Sequence, residues 1–374
     1  MRTFLLIATT LLGLLHYYIG SRLLPALGLG VQAVALAWAM LALSVLLIPA
    51  SLIARHLTRP PLADRLTWAG SLAMGLFSSV LVLTTLRDLA LLLAAEHLPA
   101  AFEALSAQGV LVLAVLVTLV GFINARRTAS VVSVDVPLAN LPDALHGFTI
   151  AQISDIHVGP TIKRGYLDRI VDRVNALKPD LIAVTGDLVD GSVHDLAPHT
   201  EPLKRLAARY GAYFVTGNHE YYSNAHAWIA EVKRLGVKVL MNEHVVLEHG
   251  GARLVVAGVT DYTAHQFDPR HRSDPLAALA GAPADAAAKV LLAHQPRSAE
   301  AAADAGFDLQ LSGHTHGGQF FPWNLFVPLQ QPFTAGLHKL RDLWVYTSRG
   351  TGYWGPPKRF GAPSEITRLR LVRA

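Results

Sequence analysis

No lysine occurs before Lys163, and residues 1–125 hold only ten charged side chains, so the first third of the chain lacks the means to cover itself with a water-facing surface. Four stretches within it, near 3–20, 31–54, 66–86 and 109–125, are apolar and of bilayer-crossing length, which for a helix is roughly 20 residues. Arg2 ahead of an apolar run also fits a cleaved signal peptide. Against that, "HYYIGSRLLP" offers no small-x-small cleavage site and three further spans follow, so a retained anchor is expected. Residues 87–108, "RDLALLLAAEHLPAAFEALSAQ", mix charges into a Leu/Ala helical pattern and read as an amphipathic segment lying at the interface. With the amino terminus inside, Arg2, Arg55, Arg59, Arg65, Arg126 and Arg127 are cytoplasmic and only Arg22 and Arg87 lie outside. The excess of arginine predicts a multi-pass protein of the inner (plasma) membrane with its carboxy-terminal part in the cytoplasm. If only three spans cross from an amino terminus held inside, that part moves to the other side.

The back of the chain has ordinary polarity and holds all but 4 of the 17 histidines after residue 150. Cysteine is absent, which excludes disulfides and thiolate metal sites and leaves only nitrogen and oxygen ligands for any metal. The net charge of +5 and pI near 9.4 could suggest nucleic acid or an anionic surface, but the excess is modest and reads mainly as membrane-flanking arginines plus scattered surface charge. No dense Lys/Arg run with interleaved aromatics accompanies them, which argues against nucleic acid.

From about residue 147 short apolar runs alternate with helical stretches and turns. The runs are "FTIAQIS", "DLIAVTG", "AYFVTG", "ARLVVAGV", "AKVLLA", "DLQLSG", "LWVYTS" and "EITRLRLV"; between the first of them lie "YLDRIVDRVNALKP" and "AHAWIAEVKRLG". Strand, helix, strand predicts an α/β sandwich with partly parallel sheets. The expected organisation is a membrane region over 1–127, a linker over 128–146 and an α/β domain over 147–374.

Chemistry stands just past the ends of these runs. The first is followed by Asp155 and His157, the second by Asp187 and Asp190, the third by Asn218, His219 and Glu220, and "AKVLLA" by His294. The stretch "LSGHTHGGQ" then sets His314 and His316 one residue apart among glycines. Oxygen and nitrogen ligands thus recur at carboxyl ends of strands, where α/β folds build their sites. A lone aspartate there is more often a helix cap and a lone histidine a surface residue; five such positions in chain order make a metal site.

The order D-x-H, GD, GNH with an acid, H, GHxH resembles the calcineurin-like metallophosphoesterases over roughly residues 145–372. The tail "SRGTGYWGPPKRFGAPSEITRLRL" is similar to the closing segment of the subgroup whose catalytic domain follows membrane segments. The resemblance implies two packed mixed β-sheets flanked by helices, behind an all-α membrane region. It implies two divalent metal ions of the manganese, iron or zinc type. One would take Asp155, His157 and His316, the other Asn218, His294 and His314, with Asp187 bridging them. Metals about 3.5–4 Å apart share a water, lower its pKa and aim the hydroxide at phosphorus. His219 would then protonate or stabilise the departing oxygen, oriented by Asp190. The alternative for Asp190 is a helix cap or surface acid; Glu220 fits equally a residue supporting the ligands from behind and an exposed first-turn acid. Arg349 and Lys358 or Arg359 either contact an anionic substrate or are simply solvated. The expected activity is hydrolysis of a phosphomonoester, phosphodiester or pyrophosphate, with membrane anchoring favouring a lipid-linked substrate. A nuclease, or a membrane sensor or transport protein using the domain for binding, stands as the alternative.

Overall fold

A computed structural model describes residues 2–94, 97–99 and 101–374; the side chains of 2–5 and 55–57 lie outside the description. The chain divides into two compact units, Met1–Arg126 with Gly355–Phe360, and Arg127–Trp354 with Gly361–Ala374.

The first unit consists of four long helices, α1 (Arg2–Leu23), α2 (Val31–Leu57), α3 (Leu62–Ala94) and α4 (Phe102–Arg126). Among the described residues, three of the four expected spans, Val31–Ala54, Leu62–Ala94 and Phe102–Arg126, are long and apolar enough to cross a membrane. The fourth, α1, is helical, but its last two turns carry His16, Tyr17, Tyr18 and Arg22. The expected interfacial segment is not a separate element. Residues 87–94 continue the 33-residue α3, residues 102–108 open α4, and residues 95, 96 and 100 between them lie outside the described residues. Its first two charges are paired within the helical unit: Arg87 donates to Ser106 Oγ at 3.0 Å and Glu103 O at 3.0 Å, and Asp88 accepts from Tyr18 and Arg22 at 2.8 and 2.7 Å. Gly355–Phe360 packs with these helices through glycine gaps. Arg359 N donates to Gly121 O at 2.8 Å, and Lys358 Nζ donates to Gly75 O at 3.0 Å and Ser79 Oγ at 2.5 Å. A Cβ on Gly121 would stand 2.7 Å from Lys358 Cγ. Lys358 and Arg359, both buried, are therefore neither solvated nor free for a substrate.

The second unit holds twelve strands: β1 (Ser130–Leu138), β2 (Thr149–Ile153), β3 (Leu181–Val184), β4 (Ala212–Phe214), β5 (Lys238–Val239), β6 (Glu243–His249), β7 (Ala252–Gly258), β8 (Ala288–Leu292), β9 (Leu309–Ser312), β10 (Gly336–Leu340), β11 (Leu343–Thr347) and β12 (Glu365–Arg373). They form two six-stranded mixed sheets, ordered β1-β12-β2-β3-β4-β5 and β10-β11-β9-β8-β7-β6. Strands β2 to β5 run parallel in the first, and β7, β8, β9 and β11 run parallel in the second. Ile150, Leu181 and Tyr213 from one sheet share a core with Val256, Val290 and Leu309 from the other, so the sheets pack face to face. The outer face of the second sheet is closed by a smaller cluster that includes Leu291, Val345, Ala302 and Phe307. The stretch expected as a linker contains β1, paired with β12 along all nine residues; its alternating "SVVSVDVPL" is a strand pattern whose apolar side finds the core.

The described helices of this unit's first half are α5 (Arg164–Ala176), α6 (Val193–Thr200), α7 (Asn218–Tyr222) and α8 (Ala225–Arg234). Helix α5 buries Leu167, Ile170, Val171 and Val174 at the i, i+3, i+4, i+7 spacing of an amphipathic helix.

Candidate metal centre

Each parallel strand that matters here ends two to four residues before a candidate ligand: β2 before Asp155, β3 before Asp187, β4 before Asn218, β8 before His294 and β9 before His314. The chain then turns in a way few residues accept. Asp155, His157, Asp187, His314 and His316 have φ of 53°, 56°, 51°, 70° and 52°. Asp and His are among the few non-glycine types that enter this left-handed region. The turns are locked to one another: Asp155 N donates to Gly186 O, His157 N to Asp187 O, and His314 N to both oxygens of Asp155, all at 2.9–3.1 Å. Gly186, at φ +86°, and Gly313 make the close approach possible. A Cβ on Gly186 would meet Gly217 N and His294 Nδ1 at 2.7 Å, and one on Gly313 would land on the Ser154 hydroxyl and the Asp155 carboxylate.

These turns gather the side chains into groups able to hold a cation. One comprises Asp155, His157 and His316, with His157 Nε2 3.0 Å from His316 Nε2 and His316 Nε2 3.5 Å from Asp155 Oδ1. Another comprises Asp187, His294 and His314, with His294 Nε2 3.2 Å from both Asp187 Oδ2 and His314 Nδ1. The neighbouring histidines of "GHTH" therefore diverge, one to each group. Asp187 lies between the groups, since its Oδ2 is also 3.9 Å from His157 Nε2 and from His219 Nε2. Among the described residues, the buried Asn218 Oδ1 has no hydrogen-bond partner. His226, Asp268 and His271 form a further group elsewhere, where Arg270 already binds both oxygens of Asp268, at 3.0 and 2.8 Å.

The ring orientations are fixed from behind. His294 Nδ1 lies 2.8 Å from Thr185 O, which turns Nε2 into the centre, and His157 Nδ1 lies 3.0 Å from Asp190 Oδ1. The same Asp190 oxygen is 2.6 Å from His219 Nδ1. Asp190 thus sits where a partner for His219 was expected, and it holds His157 as well, a contact that no spacing rule signals. The aromatic faces of Tyr222 and Trp354 stand 5.1 and 5.6 Å from the His219 ring. Trp354 belongs to the quoted tail motif, yet nothing in the sequence places it beside His219.

Glu220 is neither exposed nor a direct neighbour of the cation groups. Its Oε2 accepts from Asp187 N at 3.0 Å and Gly217 N at 2.6 Å, and its Oε1 from Leu188 N at 2.8 Å. One fully buried carboxylate therefore ties the loop after β3 to the loop after β4. Arg349 lies in this unit, its Nη1 2.9 Å from Glu365 Oε2 and its side chain alongside Gly317.

The electrostatics call for positive charge at the centre. Among the described residues, the ion-pair partners of Asp155 and Asp187 are all imidazoles. Burial pushes the Asp187 carboxyl up, but His294 and His219 outweigh it and hold it well below the usual range. Burial likewise works upward on Asp190, and His157 and His219 overcome it. Burial disfavours charge on His219, yet Asp187 and Asp190 prevail and push it up to about 9. His294 is raised for the same reason, whereas burial and the His294 charge push His314 down to about 3. The raised His219 and His294 show that the buried Asp187 carboxylate favours positive charge beside it. A buried Asn oxygen without a donor, buried carboxylates and inward-turned ring nitrogens fit a hard or borderline divalent metal.

Residues 148–318 match the family model described as calcineurin-like phosphoesterase. The "Transmembrane protein with metallophosphoesterase domain" of Bos taurus is 42% identical over 277 residues, 70% of this chain and 62% of that protein. The protein of the same description in Danio rerio is 39% identical over 275 residues, 70% of this chain and 63% of its own length. An uncharacterized metallophosphoesterase of Campylobacter jejuni is 36% identical over 263 residues, covering 70% of this chain and 68% of that one. The chain spans less than two thirds of the two transmembrane relatives and slightly more than two thirds of the bacterial one. With the family's ligand types standing at successive strand ends of a two-sheet sandwich, the chain belongs to the calcineurin-like metallophosphoesterase family.

Proposed function

We propose that this chain is a membrane-anchored hydrolase of phosphate esters that works with two divalent metal ions, of the manganese, iron or zinc type. The observation that carries the reading is the position of Asp187, whose Oδ2 lies within 3.9 Å of His157 in one ligand group and 3.2 Å of His294 in the other. Asp155, His157 and His316 would hold one ion, Asn218, His294 and His314 the other, and Asp187 both. Bound there, the ions would supply Lewis acidity toward the phosphoryl oxygens and acidify the attacking water.

The protein's own part is proton delivery. Asp190 accepts from His219 Nδ1 and so leaves the Nε2 proton facing the centre, where it can pass to the departing oxygen of the ester. Three apolar helices anchor the domain, the arginine distribution favours the cytoplasmic side of the plasma membrane, and the anchoring favours a phosphate carried by a lipid. Detergent-purified protein loaded with manganese should hydrolyse aryl phosphomonoesters, diesters or pyrophosphates. Asp187→Asn should lose most bound metal and nearly all turnover while keeping its fold. Full metal content and activity in that variant would rule out a shared carboxylate.

A further inference from the structure

The turn that carries His314 and His316 runs into a stretch without formal charge: from Leu309 to His338 the sequence has no Lys, Arg, Asp or Glu. Within it Phe321, Trp323, Leu325, Phe326 and Leu329 are 49%, 42%, 61%, 53% and 80% exposed. Single exposed apolar residues are ordinary on protein surfaces, but five large ones within nine positions form an apolar patch of the kind that marks an interaction surface.

The patch is a fixed platform. At its near end Phe320 is buried, and Gln319 exchanges two 2.8 Å hydrogen bonds with the Trp354 backbone. At its far end Gln331 is buried and donates to Gln295 Oε1 at 3.1 Å, while Arg297 Nε donates to Gln330 O at 2.5 Å. Two short turns, Trp323–Leu325 and Val327–Leu329, shape the segment between them. Its middle presses on the ligand turn itself: a Cβ on Gly318, two residues past His316, would collide with the Asn324 backbone. Anything that seats this segment also seats the turn that bears both histidines.

We infer that Phe321–Leu329 is a lipid-interface element that docks the mouth of the metal centre on the bilayer surface, so that the phosphate it acts on is one carried at a lipid headgroup. The second half of this inference rests on the reading of the centre as a phosphate-ester hydrolase. Trp and Phe interleaved with Leu, Val and Pro, with no formal charge, is the composition that partitions into the headgroup–acyl boundary. A protein partner would instead call for hydrogen-bonding and charged groups around the apolar patch. The same chain carries three helices of membrane-spanning length and apolarity, so a bilayer is already tethered to this unit.

The chain has no cysteine, so Phe326→Cys and Leu329→Cys each give a unique thiol in the full-length protein. Labelled with an environment-sensitive fluorophore and reconstituted into vesicles, both should be quenched by brominated phosphatidylcholine. A label at Asp285→Cys, an exposed polar position, should not be. Absence of quenching at 326 and 329, or equal quenching at 285, overturns the inference, as does disulfide cross-linking of unlabelled 326 thiols between two copies. In the double variant Phe326→Asp, Leu329→Asp, hydrolysis of a phosphorylated lipid in vesicles should fall about tenfold or more, with hydrolysis of a soluble aryl phosphate unchanged. Equal loss on both substrates, or none on the lipid, also overturns it. If the native chain hydrolyses neither substrate, the reading of the centre falls and the quenching arm alone decides the interface element.

Discussion

The sharpest test of how this centre is built is Glu220→Gln. The native carboxylate accepts three backbone hydrogen bonds, from Asp187 N and Gly217 N at Oε2 and from Leu188 N at Oε1. Glutamine keeps one acceptor oxygen. If that oxygen takes the Oε2 position, two bonds survive and the amide N–H₂ faces Leu188 N–H, leaving two buried donors unpaired. At about 1–3 kcal/mol for each orphaned group the loss is about 2–6 kcal/mol. For a unit of this size that corresponds to a fall of about 4–24 °C in midpoint. Glu220→Ala, which orphans all three donors, should be worse. Because the bonds tie the loop bearing Asp187 to the loop bearing Asn218, manganese affinity should also drop, by the 10- to 100-fold typical of losing a supporting hydrogen bond. Intrinsic-fluorescence melting in detergent and metal titration would read the two effects separately. A native midpoint with native affinity would refute the clamp; a lowered midpoint with native affinity would show that it stabilises the fold without positioning the ligands.

Three further outcomes follow from particular contacts. His219→Ala should keep its metal and lose turnover by roughly 10² to 10⁴, less for an acidic leaving group such as nitrophenolate, whereas Asp190→Asn should also weaken metal binding because Asp190 Oδ1 holds His157 Nδ1 at 3.0 Å as well as His219; elemental analysis alongside rates on graded leaving groups separates the two, and metal loss in His219→Ala would make that residue a ligand. Gly313→Ala should cost bound metal, since its Cβ would land on Asp155, while Gly165→Ala in α5, with nothing within 4 Å of the added carbon, should be neutral or slightly stabilising; equal behaviour of the two in a metal titration would contradict the close packing. A reporter fused after Ala374 should be active on the cytoplasmic side. Arg59, flanked by Arg55 in the last turn of α2 and Arg65 in the first turn of α3, and Arg126 and Arg127 at the end of α4 share one side of the membrane whether or not α1 crosses, so a reporter active only outside would overturn the arginine argument and not merely the span count.

Much of this unit could be read along the chain because its chemistry is tied to strand ends. The short apolar runs that became β2, β3, β4, β8 and β9 each stop just short of a ligand type, and a change from apolar residues to Asp, Asn or His marks the spot. Other features had no such mark. The alternating residues of β1 look like a linker until β12, more than 220 residues later, supplies their partner. Lys358 in a glycine-proline loop looks solvated until Gly75 and Gly121 open gaps in two helices for it. Arg87 and Asp88 look like the start of an interfacial helix, yet both are satisfied inside the helical unit.

What composition and spacing conceal most completely is backbone strain. Five of the seven candidate ligands sit at positive φ. At about 1–3 kcal/mol for each such residue the sum is about 5–15 kcal/mol, as large as the net stability of a whole domain. Strain of that size persists only where neighbouring bonds leave the chain no alternative. Here those bonds run from loop to loop: Asp155 to Gly186, His157 to Asp187, His314 to the Asp155 carboxylate, and Glu220 across two loops. The ligand turns are therefore held by the sandwich and by one another. Motif spacing identifies which atoms meet in this centre; the reason they face inward lies in hydrogen bonds among residues 30 to 160 positions apart in the chain.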